Sequence, residues 1–96
     1  MKRVTILGST GSIGKNALNV IDNCEDQFSV IGLSANKNSQ LLVEQAKKYQ
    51  PKFVSIIDSE GADYVEQKLR SFDVKILKGR EGLLKLASYE NSDLLL

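Results

Sequence analysis

The run Gly8-Ser9-Thr10-Gly11-Ser12-Ile13-Gly14 limits what this chain can fold into more than any other stretch. It follows a β-branched apolar segment, Val4-Thr5-Ile6-Leu7, and opens directly into a helical pattern. A strand that stops at glycines and turns into a helix builds a phosphate cradle. The glycines let the backbone turn tightly and approach a diphosphate. The helix amides then point at the anion, with the positive end of the helix dipole behind them. The expectation is a dinucleotide-binding βα unit. The spacing is G-x-x-G-x-x-G, not the usual G-x-G-x-x-G, and glycines alone also serve a strand-to-helix turn with no ligand. The order of strand, glycines and helix favours the ligand. Ser9, Thr10 and Ser12 set hydroxyls beside the amides, which suits phosphate oxygens and equally suits ordinary turns and N-caps.

Strand and helix alternate along the rest of the chain. A first strand is expected over Arg3 to Leu7, then a helix from Ser12 to Asn23 with Ile13, Ala17, Val20, Ile21 and Cys24 on its buried face. A second strand spans Phe28 to Ala35, set off by Glu25-Asp26-Gln27 before it and Asn36-Lys37-Asn38-Ser39 after it. The second helix starts near Ser39, buries Leu42, Ala46 and Tyr49, and is closed by Pro51. A third strand, Phe53 to Ile57, is a nearly continuous apolar run that suits burial on both faces. A third helix (Glu60 to Ser71), a fourth strand (Val74 to Leu77) and a short helix (Gly82 to Ala87) follow. Asp93 to Leu96 looks like a fifth strand just beginning. Such alternation implies an α/β fold, a Rossmann-like doubly wound parallel sheet truncated after about four to five strands. The expected strand order is 3-2-1-4-5.

At 96 residues the chain is one domain at most, with a modest core. A net charge of +1, with lysines scattered among glutamates, gives no electrostatic case for nucleic-acid or membrane binding. The absence of histidine and the single Cys24 exclude zinc-type clusters and Cys/His nucleophile pairs within the chain. Cys24 reads as a small buried hydrophobe, and a lone cysteine fits a reducing compartment. Asp22, Glu25 and Asp26 do not match a calcium-loop spacing and read as solvated surface. The first strand starts too near Met1 to leave room for a signal peptide, and no apolar run is long enough to cross a bilayer. A soluble, cytoplasmic protein is expected.

The end of the second strand chooses the nucleotide. An NAD-preferring fold places Asp or Glu there to accept the ribose hydroxyls. Here the stretch is Leu33-Ser34-Ala35-Asn36-Lys37-Asn38, without a carboxylate. Neutral donors and a lysine attract a 2′-phosphate that a carboxylate would repel, so the sequence leans to NADP(H). Asn36 and Asn38 also suit a plain turn, and Asp58 reads as a turn residue that could line the adenine side.

The string Thr5-Ile6-Leu7-Gly8-Ser9-Thr10-Gly11-Ser12-Ile13-Gly14 resembles the opening T-I-L-G-S-T-G-S-I-G of the 1-deoxy-D-xylulose 5-phosphate reductoisomerase family. The likeness continues through Leu33 to Asn38, Leu42-Val43-Glu44-Gln45 and Tyr49-Gln50-Pro51-Lys52-Phe53, and covers essentially the whole chain. The resemblance implies an oxidoreductase and isomerase of isoprenoid biosynthesis. Such an enzyme uses NADPH and a divalent metal (magnesium, manganese or cobalt) to turn deoxyxylulose phosphate into methylerythritol phosphate. By matching position, Thr10, Gly11, Ser12 and Ile13 would hold the cofactor phosphates, largely through backbone amides. Asn36, Lys37 and Asn38 would meet the adenosine ribose and its 2′-phosphate. The family often has glycine where Asn36 stands, and asparagine tolerates the left-handed backbone that a glycine there would allow.

Family enzymes are several times longer, and their metal carboxylates and substrate-phosphate site match nothing in this chain. The resemblance therefore makes residues 1–96 an incomplete NADP(H)-binding N-terminal domain, with no catalytic or metal residues and no turnover alone. The full-length enzyme would be a homodimer acting on a sugar phosphate. Two alternatives remain at this point. One is the N-terminal domain of an NADP(H)-dependent semialdehyde dehydrogenase. The other is a non-catalytic NADP(H)-sensing module.

Overall fold

The computed structural model describes residues 1–24, 26–90 and 92–96. Its elements alternate as the residue pattern requires: β1 (Lys2–Ile6), α1 (Ser12–Asp22), β2 (Phe28–Ala35), α2 (Ser39–Tyr49), β3 (Phe53–Ile56), α3 (Ser59–Lys68), β4 (Lys75–Lys78), α4 (Gly79–Ala87) and β5 (Leu94–Leu95). The strands form one parallel sheet in the order β4-β3-β2-β1-β5. This is the expected doubly wound α/β architecture, but not the expected strand order. The fourth strand pairs with β3, Val54 opposite Ile76, and not with β1.

The reason lies in which face each helix covers. A right-handed crossover ties the face a helix packs on to the direction in which the chain steps across the sheet. Leu18 and Ile21 of α1, Leu42, Val43 and Ala46 of α2, and Ala62 and Val65 of α3 share one core with Val4, Ile6, Leu33, Val54 and Ile56. Three helices on one face step the chain three strands one way, from β1 out to β4. Only α4 crosses to the opposite face, where Leu86 closes over Gly32 and Tyr89 meets the Phe53 ring edge-on at 4.6 Å. The chain therefore turns back one helix later than expected, and β5 lands on the free side of β1. The reversal still falls beside β1, so the glycine turn keeps its place at the carboxyl end of the strand where the sheet changes direction.

The first helix packs through a different stripe from the one its apolar residues suggest. Gly14, Leu18 and Ile21 face the sheet, whereas Ile13 is 85% and Val20 60% exposed. Gly14 belongs to the helix face as well as to the turn, and this rotates the buried stripe away from Ile13. Cys24 is half-buried in the turn after α1, not inside the core. Of the acidic group considered as a metal site, Glu25 lies outside the described residues and Asp22 is engaged by Tyr49 and Lys48. Among the described residues no helix is long and apolar enough to cross a membrane.

Candidate functional site

The turn after β1 is built by glycines with different tasks. Gly8 has φ +66°, a conformation that side chains other than glycine rarely adopt. At Gly14 the constraint is steric: a Cβ there would stand 2.3 Å from the Gly8 carbonyl oxygen and 2.5 Å from the Ser9 Cα. The helix can start this close to the strand only because Gly14 has no side chain. Gly11 is under neither demand. Its φ is −83°, and a Cβ would stand 3.4 Å from the Gly8 oxygen, an ordinary contact. The fold itself leaves Gly11 free to be something else. Its place at the N-cap of α1, exposed, gives a ligand close access to the backbone.

All four helices begin along the carboxyl edge of the parallel sheet, after β1, β2, β3 and β4, and their first turns differ. Asn38 Oδ1 accepts from Leu41 N at 3.2 Å and caps α2. Asp58 Oδ2 accepts from Gly61 N at 2.9 Å and caps α3. No side chain caps α1, and no acidic residue occupies its first turn. Its ladder starts with the Lys15 amide bonded to the Gly11 carbonyl at 2.9 Å, so the amides of Ser12 and Ile13 lie ahead of it. The arrangement can receive an anion with two or more aligned N–H groups and a dipole behind them. Ser12 and Ile13 are exposed and Thr10 is half-buried at this end.

The loop is held from beneath by a polar network. The Gly8 amide donates to Ser34 Oγ at 2.9 Å and the Ser9 amide to the Ser34 carbonyl at 2.8 Å. Gln45 Nε2 donates to the Ser9 carbonyl at 2.8 Å, while Ser9 Oγ donates to Gln45 Oε1 at 2.7 Å. Ser9 is fully buried and turned inward, so its hydroxyl is committed to Gln45 and not offered to a phosphate. Of the three hydroxyls the sequence sets beside the amides, those of Thr10 and Ser12 remain near the surface. The sequence reading missed Ser34 and Gln45. The signal for Gln45 was a polar residue inside the apolar stripe of α2, between Leu42 and Ala46.

The second predicted cluster, Asn36-Lys37-Asn38, forms the turn from β2 into α2 at the same end of the sheet. Its side chains are exposed. The backbone is fastened on both sides: the Asp58 amide donates to the Asn36 carbonyl at 2.9 Å, and the Ser39 amide to the Lys37 carbonyl at 2.7 Å. Asn36 does not use a left-handed conformation. Among the described residues the non-glycine with positive φ is Gln50, at the end of α2. A cleft of about 440 Å³ opens between this turn and the start of α3, lined by Lys37, Asn38, Asp58, Glu60 and Tyr64 among others. The turn carries no acid of its own, yet the fold brings two carboxylates across from it. That of Asp58 is tied up by its cap.

Other charges are arranged for structure. Asp22 accepts from Tyr49 Oη at 2.7 Å and Lys48 Nζ at 3.0 Å, which hold its carboxyl below the ordinary aspartate range. Burial, then the hydrogen bond to Asp22, pushes the Tyr49 phenol up. The Arg3 amide and guanidinium lower Asp93. Lys78 is raised by its pairing with Glu66. Among the described residues no group of three or more acidic, histidine or cysteine side chains could hold a metal ion.

The model of the 1-deoxy-D-xylulose 5-phosphate reductoisomerase family matches residues 4–96. The reductoisomerase of Thermodesulfovibrio yellowstonii is 46% identical over 96 residues, 100% of this chain and 25% of that protein. That of Glaesserella parasuis is 40% identical over 98 residues, again 100% of this chain and 25% of the relative. Among solved structures, a DOX-P reductoisomerase in complex with NADPH, fosmidomycin and magnesium aligns with a TM-score of 0.93 at 28% identity, over 99% of this chain and 24% of that one. The Zymomonas mobilis reductoisomerase in complex with NADPH aligns with a TM-score of 0.88 at 32% identity, over 94% of this chain and 24% of its own. The chain thus spans about a quarter of the length of these relatives. A match that runs from β1 through β5 goes well beyond the glycine string that other NADP folds share. The chain belongs to the 1-deoxy-D-xylulose 5-phosphate reductoisomerase family.

Proposed function

We propose that this chain is the NADPH-binding part of a reductoisomerase that converts 1-deoxy-D-xylulose 5-phosphate to 2-C-methyl-D-erythritol 4-phosphate. One observation carries the reading: α1 starts at a glycine turn with no side-chain cap and no acid in its first turn, whereas α2 and α3 are capped from the chain itself and α4, also uncapped, carries Glu81 in its first turn. Thr10, Gly11, Ser12 and Ile13 hold the pyrophosphate, chiefly through main-chain N–H groups, with Gly11, whose own N–H donates to the Gly8 carbonyl at 3.0 Å, contributing close approach in place of a donor. Asn36, Lys37 and Asn38 receive the adenosine ribose and its 2′-phosphate, with Lys37 supplying the countercharge. NADPH supplies the hydride of the reduction. The residues of this chain bind and orient the cofactor and touch no reacting carbon. The two reductoisomerase structures described above hold NADPH, which supports the same reading.

The divalent metal of the reaction does not fit these residues. Asp22, Asp58 and Asp93 are already spent on Tyr49 and Lys48, on the α3 cap and on Arg3. On this reading residues 1–96 form a cofactor domain that contributes no catalytic or metal ligands and does not turn over substrate alone. The full-length enzyme on this reading is a cytoplasmic homodimer acting on a sugar phosphate. The test is calorimetric titration of the chain in its full natural length with NADPH and NADH, before and after Lys37→Ala. NADPH affinity should fall about tenfold or more and NADH affinity hardly at all. Equal loss for both would remove Lys37 from the 2′-phosphate, and no binding of either would remove the site.

A further inference from the structure

We propose that Gln45 is a positioning residue that couples the two halves of the dinucleotide site. It sets the distance between the Gly8–Gly14 cradle and the Asn36–Asn38 turn. The proposal rests on the function argued above. Gln45 lies on the buried face of α2 and is only 8% exposed. A backbone carbonyl can only accept, so the Ser9 oxygen, 2.8 Å away, fixes Nε2 on that side of the amide. Oε1 then takes the Ser9 hydroxyl at 2.7 Å. Both polar ends of Gln45 are thus engaged by one residue of the glycine loop.

The other end of the linkage is the second turn itself. Ser34, which receives the Gly8 and Ser9 amides, stands two residues before Asn36 on β2. Gln45 belongs to the helix that Asn38 caps. The cradle is therefore fastened to the two elements that flank the Asn36–Asn38 turn, one on each side. Ser9, Ser34 and Gln45 are all buried, so the network faces no ligand and acts only through position. A dinucleotide phosphate engages both turns at once. Two-point binding gains over one-point binding only while the two points keep the spacing of the ligand. Loosening the linkage should weaken a ligand that spans both turns and spare one that reaches a single turn.

The experiment is calorimetry on the full natural chain with NADPH, which spans both turns, and adenosine 2′-monophosphate, which reaches only the second. Gln45→Met keeps the volume and removes both hydrogen bonds. It should weaken NADPH about tenfold or more and leave adenosine 2′-monophosphate within about twofold. Ser9→Ala removes the hydroxyl end of the same linkage and should shift the ratio in the same direction, which decides the matter if Gln45→Met does not fold. A lower melting temperature with both affinities unchanged, or falling by the same factor, would mean a merely structural glutamine and would overturn the coupling. A wild-type chain that binds neither ligand would instead sink the cofactor reading, and this proposal with it.

Discussion

Two turns in this molecule solve the same backbone problem, and only one has the features of a binding site. The turn from β1 into α1 and the turn from β4 into α4 both begin with a glycine at positive φ, +66° at Gly8 and +68° at Gly79. Each also has a glycine pressed against preceding backbone. A Cβ on Gly14 would lie 2.3 Å from the Gly8 oxygen, and one on Gly82 would lie 2.7 Å from the Leu77 carbonyl carbon. Neither helix has a side-chain cap. They part in charge and support. The first turn of α4 contains Glu81, whose carboxylate suits the dipole end and repels an anion. The first turn of α1 contains no acid, and its loop is anchored from below by Ser34 and Gln45. A positive-φ glycine followed by a close-packed one, six residues on at Gly14 and three at Gly82, thus marks a tight strand-to-helix turn. The charge of the following turn marks what it can hold.

The largest effects should come from the feature the two turns share. Gly14→Ala forces a methyl group into the Gly8 carbonyl, with only backbone to give way, and should lower unfolding free energy by about 3 kcal/mol. Gly82→Ala meets Leu77 backbone at slightly longer range and should remove about 2 kcal/mol. Denaturant titration measures both, and a tolerated Gly82→Ala would break the likeness between the turns. Gly11 separates folding from binding. Its φ and its 3.4 Å clearance leave room for a side chain, so Gly11→Val should lower stability by no more than about 1 kcal/mol. The same substitution should abolish binding of NADPH and NADH together by blocking approach to the backbone. Unchanged affinity would remove the cradle.

The β/α alternation, the glycine turn and the Asn36–Asn38 turn were legible because each is written in local pattern. Period two, period three to four and turn residues need no knowledge of the rest of the chain. The place of β4 was not legible. Its crossover obeys the same handedness on either side of the sheet, and the choice depends on α3 packing with α2 through Ala62 and Val65. The buried stripe of α1 was misread because Gly14 counted only as a turn residue, although its missing side chain is what lets that face pack. The Ser9–Gln45 linkage joins residues 36 positions apart and leaves a single trace, a polar side chain in an apolar stripe. Asp58 was legible as a turn residue that could line the adenine side, but Glu60, in the first turn of α3, reaches the cleft beside Lys37 only through the fold, and nothing local announces it.

Moving a charge between the two turns sharpens the contrast. Ser12→Glu gives α1 the acid that α4 already has. It should stabilise the fold by about 0.5 kcal/mol through the helix dipole while weakening NADPH about tenfold or more, since the carboxylate now occupies the anion's end of the helix. Glu81→Gln is the reverse change at α4. It should lower stability by about 0.5 kcal/mol and leave NADPH affinity as it was. Thermal melts and titrations on the same samples separate the two quantities. A loss of cofactor affinity in Glu81→Gln would show that the α4 turn takes part in binding after all.

The smallest effect concerns the far end of α1. Its amino end is open, but its carboxyl end is tied to α2 through Asp22, Tyr49 and Lys48, so α2 grips the first βα unit at both ends. The Tyr49 hydrogen bond, followed by that of Lys48, lowers the Asp22 carboxyl below its unfolded value. A depressed carboxyl adds stability that is complete above the unfolded pKa and is lost as pH falls through the folded one. The stability difference between the wild-type chain and Asp22→Asn should therefore be level at neutral pH and shrink as pH falls through the folded pKa of Asp22. Tyr49→Phe should remove most of the same increment, because its hydroxyl is the first cause of the depression. Asp22 is exposed and its ion pair is screened by solvent, so the increment is smaller than any effect at the glycines. NADPH affinity should not change in either variant, because this end of α1 anchors the helix while the opposite end receives the ligand.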